Sequence, residues 1–484
     1  MVLTALGFAA FSFLTVSEPA HAGGFLATRF GGEQGHPMSE DASALYFNPA
    51  GLSLKRGTRL HVNGVFVYRL ASYDRPAGAI DNQLAPGSSG TGTPADAIGA
   101  NSGKGTLANF IALPYLALVS DVGVKNLALG LSFSVPFGGQ ASWNKNDSFR
   151  NSAAYPGAVD GVQRWSTLDG IIRTSYITAG GSYTIQKAHL SIGAAVNVVL
   201  NQLTTIRART AAGTDDITSA GTPLEGRSLL DVSGTTASLA LGVIWQPATN
   251  WWLGVSYQSQ PGFGENRLSG TLTNKLGASP VTQQNVIVTQ SLPDVLRFGV
   301  RVRPVTKFEL RLWGEYQRWS VFDKQCVLDA ATPNAKCALT ANGGLDTAAG
   351  GAGVILVLPR KWKDGGGVRF GASYFPLPWV ELQFGAGYDA NVVPNNTIDA
   401  ALIDQEKMTL TLGTRLDLVK RKLNLAISYT QVIYFDRTVP VRDRDANGKV
   451  LTFDAPTRSP DGGGVYTQSL GLLSAALEYN FTGP

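Results

Sequence analysis

Apolar and polar residues alternate with a period of two along most of this chain, and the clearest run closes it. Leu473, Ala475, Leu477, Tyr479 and Phe481 are interleaved with Ser474, Ala476, Glu478 and Asn480. One face of such a segment is apolar and the other polar, as in a strand whose two sides meet different media. Leu410, Leu412, Leu416 and Leu418 oppose Thr409, Thr411, Arg415 and Asp417 in the same way. So do Leu423, Leu425, Ile427 and Tyr429 against Asn424, Ala426 and Ser428, and Leu296, Phe298, Val300 and Val302 against Arg297, Arg301 and Arg303.

Followed along the chain, the alternation predicts fourteen strands, near 58–71, 109–120, 126–135, 168–184, 188–205, 232–245, 251–260, 286–302, 308–319, 367–375, 380–389, 408–418, 423–434 and 465–481. Short turns, as around Gly123, alternate with long Gly- and Ser-rich loops. Alternation alone does not say which face meets lipid. Charged residues on the polar face argue against a soluble sandwich, whose buried inner faces are apolar.

The start of the chain bears on that choice. Residues 3–16 are apolar, and Ala20-His21-Ala22 places small residues where a signal peptidase cleaves, so 1–22 reads as a signal peptide with the mature chain from Gly23. The lack of Lys or Arg before Arg29 is unusual for a leader and fits a longer one. An exported chain of 484 residues with 15% charged residues and 56 glycines, mean hydropathy +0.03 and no long apolar run after residue 22 fits a bacterial outer-membrane β-barrel. Such a strand crosses with about 9–11 residues, only every second one apolar.

The net charge of +5 is spread singly over alternating strands, which argues against a nucleic-acid groove and leaves lipid and lipopolysaccharide head groups as partners for loop cations. Cys326 and Cys337 are the only cysteines, in a loop-like stretch rich in Ala, Asn and Gly. Export makes a disulfide between them the expectation.

Residues 23–56 lack strand alternation and carry Glu40-Asp41-Ala42-Ser43-Ala44-Leu45-Tyr46-Phe47 before Asn48-Pro49-Ala50-Gly51-Leu52. Ser39 is placed to cap a helix, Glu40 and Asp41 suit its positive end, and Pro49 disfavours helix at Asn48. This segment resembles the hatch signature of the FadL family of outer-membrane transporters for long-chain fatty acids and hydrocarbons. Pro136-Phe137-Gly138 after the third strand, Ser291-Leu292-Pro293 with Gly299 and Pro304, Trp362-Lys363-Asp364, Gly385, Asp389 and Val393-Pro394 follow in the family's order.

The resemblance implies an all-β, monomeric, fourteen-stranded barrel over 57–484, with 23–56 as a luminal hatch holding short helices. It also implies passive uptake of hydrophobic compounds, foremost long-chain fatty acids, by hatch rearrangement and lateral release into the bilayer. Asn48, Pro49, Ala50 and Gly51 then shape the hatch. Phe25, Phe30, Tyr46 and Phe47 are candidates for the apolar part of a ligand pocket, and Arg297, Arg301 and Arg369 for a carboxylate head. The alternative for these arginines is pairing with Glu309, Glu315 or Asp389. Pro136, Phe137, Gly138 and Gly139 are candidates for a kink that opens a lateral gate, or simply for the start of a loop.

Other chemistry is sparse. Asp443, Asp445, Asn447 and Asp454 have the oxygen spacing of a calcium loop around Gly448, although Asn-Gly also makes an ordinary hairpin turn. No other cofactor motif is present. After the signal only His36, His61 and His189 remain, none in a nucleophile motif, so an enzyme is disfavoured. A general porin or adhesin-type barrel is the competing reading.

Overall fold

The computed structural model describes residues 35–340, 345–420, 422–442 and 460–482. Fourteen strands form one closed antiparallel barrel. They are β1 Arg59–Arg75, β2 Gly103–Ser120, β3 Leu127–Ser142, β4 Asp169–Ile185, β5 Leu190–Arg209 and β6 Gly226–Ala248. Then come β7 in two pieces, Trp251–Gln258 and Glu265–Lys275, β8 in Thr282–Ser291 and Val295–Val305, β9 in Phe308–Gln317 and Lys324–Asp329, and β10 in Val354–Pro359 and Gly365–Leu377. The ring is completed by β11 Val380–Asp389, β12 Lys407–Val419, β13 Leu423–Tyr434 and β14 Gly464–Asn480. β14 pairs with β1 from Arg59↔Asn480 to Asp74↔Val465, so the ladder has no free end.

The alternation sorts as expected. Leu60, Val62, Phe66 and Tyr68 of β1 project outward and are exposed, whereas Arg59, His61 and Asn63 face the lumen and are buried. Leu473, Leu477 and Tyr479 do the same on β14 opposite Ser474 and Glu478. A continuous band of exposed Leu, Val and Phe around a monomer is untenable in water and natural in lipid. Aromatic girdles bound the band. Tyr257 and Tyr316 lie level with Leu296 toward the long loops, and Phe308 stacks on Tyr374 at 4.9 Å near the short turns.

Several strands run beyond the residues that alternate. β2 begins at Gly103, and β7 to β10 resume after interruptions at 259–264, 292–294, 318–323 and 360–364. Above these breaks outward positions such as Glu265, Arg267 and Ser269 are polar, because the sheet there has left the lipid and no apolar face is needed. Cys326 and Cys337 are joined in a disulfide. Cys326 lies in the upper piece of β9 rather than in a loop, since the strand continues past the apolar pattern that marks its lower part.

Leu412 is 67% exposed on the outer face of β12, level with Phe384 and Tyr429. Leu412→Arg is expected to destabilise the barrel by about 2–4 kcal/mol in urea titrations of folding into liposomes. An unchanged midpoint would mean that this face does not meet lipid.

Candidate functional site

The segment before β1 lies inside the ring, since it touches opposite walls at once. Ala42 N donates to Glu478 on β14 at 3.1 Å, while Tyr46 receives a hydrogen bond from Arg297 on β8 at 2.9 Å. Its helix, Ala44–Phe47, is a single turn whose N-cap, Ser43, makes no side-chain cap. Ser39 does not cap it either. Its hydroxyl donates to His36 O at 2.8 Å, closing a separate turn ahead of the helix.

Pro49 ends the helix as expected, with Asn48 extended and a 3-10 turn, Pro49–Leu54, beginning at once. The Asn48 side chain then works as a fork. Its oxygen accepts from Ala50 N at 3.1 Å, and its amide donates to Pro37 O at 2.8 Å, Val243 O at 3.1 Å and Val255 O at 3.2 Å. The wall makes room with glycine on three successive strands. A Cβ on Gly242 would lie 1.8 Å from Asn48 Oδ1, one on Gly193 2.4 Å from Ala50 N, and one on Gly254 2.5 Å from Pro37 O. Gly51 is equally constrained, since a Cβ there would meet Ser39 O at 1.9 Å.

The expected ligand arginines are committed elsewhere. Arg297 pairs with Glu315 at 2.9 Å and lies over the Tyr46 ring at 4.8 Å. Arg301 pairs with Glu40 at 3.1 Å and donates to Met38 O at 3.2 Å. Arg369 pairs with Asp389 at 2.6 Å. Tyr46 and Phe47 pack in the core between the helix and the wall. None of these five residues lines the main cavity. Buried guanidiniums take the nearest carboxylate, so Arg297 and Arg301 hold the hatch to the wall and Arg369 ties two wall strands, instead of facing open space. Phe25, Phe30 and the calcium-like residues Asp443, Asp445, Asn447 and Asp454 lie outside the described residues.

The main cavity, of about 1140 Å³, opens beside β1 to β5. Val67, Leu113, Phe133, Val135, Leu470 and Leu472 form its apolar part, and Arg69, Arg207, Arg209 and Arg360 its cationic part. Arg360 is paired with Asp399 at 2.9 Å. Arg207 has no ion pair or hydrogen bond among the described residues, and Arg209, Arg360 and Asp399 are its charged neighbours.

The wall beside this cavity is incomplete. β2 and β3 pair only from Leu116↔Phe133 to Ser120↔Leu129, with one further bridge at Leu107↔Trp143. Between them the strands separate. Pro136 sits inside β3 at a bulge between Ser134 and Phe137, not at the start of a loop, so the upper half of β3 leans away from β2. Gly138 and Gly139 on one lip and Phe110, Ala112 and Pro114 on the other line the cavity. Phe110 is 66% exposed on the outer face, so the cavity reaches the lipid side through this window. Phe137 turns inward and meets Trp319 from the far wall at 6.1 Å, where Trp319 and Phe322 pack on Trp362 at 4.9 and 4.8 Å.

A model of the outer membrane protein transport protein family (OMPP1/FadL/TodX) matches residues 14–459. The chain belongs to this family. The barrel is thus an outer-membrane channel for hydrophobic compounds. No curated protein sequence matches the chain. Among solved structures, a FadL homologue from Pseudomonas aeruginosa is similar at 16% identity and TM-score 0.71, over 96% of this chain and 100% of that one. The toluene transporter TodX of Pseudomonas putida is similar at 15% identity and TM-score 0.59, over 96% and 99%. The toluene transporter TbuX of Ralstonia pickettii is similar at 16% identity and TM-score 0.57, also over 96% and 99%.

Two features of this family member were missed in the sequence. Pro114 is the partner of Pro136 across the window, and proline inside an otherwise regular strand is itself a sign of an edge. The wall glycines 193, 242 and 254 were also available as a signal, because glycine in a strand interior marks close approach of another backbone.

Long loops close over one end of the barrel. Loops 76–102 and 210–225 share a small sheet of Thr91–Gly92, Thr218–Ser219 and Thr222–Pro223. They are clasped by Asp81 N to Asp215 Oδ1 at 3.0 Å and Asp215 N to Asp81 Oδ2 at 3.2 Å. Arg75 pairs with Asp215 at 2.7 Å. Burial first, and the Asp215 carboxylate second, push the Asp81 carboxyl up to about 7.

A pKa raised in the folded state contributes stability below the unfolded value that is lost as pH rises through the folded one. Limited proteolysis of the 76–102 loop should therefore be faster at pH 8 than at pH 5, and Asp81→Asn should flatten the difference. Equal rates in the wild type would count against the clasp. For the hatch, Gly242→Ala is expected to raise ion conductance in planar bilayers while leaving the barrel folded by heat-shifted gel mobility. Conductance equal to wild type would show that the Asn48 contact does not hold the hatch.

Proposed function

We propose that the barrel is a passive uptake route for long-chain fatty acids or amphiphiles like them, with the hatch segment rearranging and the window releasing cargo sideways into the outer leaflet. The reading rests chiefly on Arg207, a cation without an ion pair or hydrogen bond among the described residues, in a cavity whose polar, cation-bearing part adjoins an apolar one. Desolvating a guanidinium without compensation is costly, so an anionic ligand head is the group such a site favours. The cavity, at about 1140 Å³, exceeds the usual range for small-ligand pockets of about 300–1,000 Å³ and has room for a long chain.

In this route the Asn48-Pro49-Ala50-Gly51 turn is the part of the hatch that must leave the wall. Pro136, Gly138 and Gly139 keep the lateral exit open. An apolar tail gains nothing from water and moves from an apolar cavity into lipid with little change in free energy. Each barrel carries its own lumen, hatch and window, which supports action as a monomer surrounded by outer-membrane lipid and lipopolysaccharide.

A second reading, uptake of aromatic hydrocarbons, is favoured by the Phe137, Trp319, Phe322 and Trp362 cluster beside the exit. Arg207→Met separates the two. A charge-assisted hydrogen bond is worth about 1.5–3 kcal/mol, so this change should weaken oleate binding by roughly tenfold or more and slow oleate uptake by cells, with toluene uptake unchanged. Undiminished oleate binding would remove the carboxylate reading. Toluene uptake by the wild type and the variant alike, with oleate taken up by neither, would install the aromatic one.

A further inference from the structure

The lateral window presents a problem that its geometry also answers. Where β2 and β3 part, the upper edge of β3 faces a gap flanked by the lipid-facing residues Tyr68, Leu70 and Phe110. A backbone carbonyl on that edge has no ladder partner, and an unsatisfied carbonyl beside hydrocarbon costs several kcal/mol. At Gln140 the vacancy is filled from the neighbouring strands. Asn109 Nδ2 donates to Gln140 O at 2.6 Å, and Arg69 Nη1 donates to the same oxygen at 3.4 Å.

Arg69 and Asn109 are direct cross-strand partners on β1 and β2, so the two side chains reach over the gap from one place. Arg69 is held at its other end by a neutral group, the Gln468 side-chain oxygen, at 3.0 Å from Nε and 2.6 Å from Nη2. It has no carboxylate partner among the described residues. It also lines the cavity, as do Gln140 and Gln468.

We infer that Arg69 and Asn109 form a bolt across the lateral window, and that an anionic amphiphile in the cavity releases it by drawing Arg69 off the Gln140 carbonyl. The inference rests on the carboxylate reading above. A guanidinium bonded only to neutral acceptors gains more from a carboxylate than it loses at a 3.4 Å contact, since hydrogen bonds between charged groups are roughly twice as strong as neutral ones. Asn109 is then left with a single bond at Gln140, and the stretch of β3 between the Pro136 bulge and the Leu107↔Trp143 bridge, above which Asn144 N still donates to Thr106 O at 2.9 Å, can bow outward. A neutral hydrocarbon of the same length fills the cavity without this effect.

The experiment uses the full chain in lipid nanodiscs, with spin labels at Ala112→Cys and Gly138→Cys on the two lips and the native disulfide intact. In the otherwise unchanged protein, oleate should move the label separation to longer distances, and oleyl alcohol should not. Arg69→Gln keeps a neutral donor for Gln140 and should preserve the resting separation while abolishing the response to oleate. Arg69→Met with Asn109→Leu should show the long separation without any ligand. A resting separation unchanged in that double variant would overturn the bolt, whatever the cargo. Equal responses to oleate and oleyl alcohol would overturn the trigger. Failure of oleate to bind the unchanged protein would instead remove the carboxylate reading and the trigger together, and the double variant would still decide the bolt.

Discussion

No backbone amide can face hydrocarbon without a partner, and most of this structure follows from that constraint. It forces β14 back onto β1 over sixteen residues of β1, from Arg59 to Asp74, and it makes most outward positions in the membrane apolar. It also explains why the strands become polar on their outer face above Tyr257 and Tyr316. There water can satisfy what lipid cannot, and the breaks in β7 to β10 are tolerated. The gap between β2 and β3 is a place where the ladder lapses beside apolar outer residues, and its edges carry a proline on each lip and side chains reaching across to the unpaired carbonyl.

The lumen is organised by a second constraint, the cost of burying charge. Arg59, Arg297, Arg301 and Arg369 each find an acceptor or carboxylate at close range, and the first three bind the hatch while doing so. The hatch is therefore held by many polar contacts in addition to the apolar packing of Leu45, Tyr46, Phe47 and Leu52 against the wall. Such an assembly can come apart step by step, because water entering the lumen replaces each hydrogen bond as it breaks. A plug docked by apolar burial alone would lack that property.

Strand number and the assignment of faces were legible in the sequence because lipid imposes a strict period of two. Residues 410–418 and 473–481 alone display it. The polar upper strands were legible only in part: the predicted 286–302 strand took in most of Thr282–Ser291, whereas Lys324–Asp329 sits where the period carries no information. For the site, residue type could be read and pairing could not. Inward arginines were identifiable on β8 and β10, yet whether each meets Glu315, Glu40 or Asp389 depends on register and on where the hatch lies. Arg69 and Arg207 look like those arginines in sequence, and only the three-dimensional arrangement shows that neither forms an ion pair with a carboxylate among the described residues. The Pro136 bulge was legible as an irregularity, and its consequence, a window, needed the neighbouring strand.

The passive route for a carboxylate cargo proposed above adds a requirement that a static site must also meet. With no energy source, the ligand has to enter and leave by the same thermal energy, so no step along the path can be deep. A carboxylate at a fully desolvated, doubly bonded arginine would bind too well to leave. The cavity avoids this by spreading its cations, with Arg360 already partly neutralised by Asp399 and Arg69 shared with Gln468. The apolar tail is offered an exit between Gly138 and Pro114 where it changes one apolar surrounding for another. Affinity is thus concentrated at the head, and the head is the part that must be passed from one arginine to the next. That ordering gives a route whose direction is set by concentration alone.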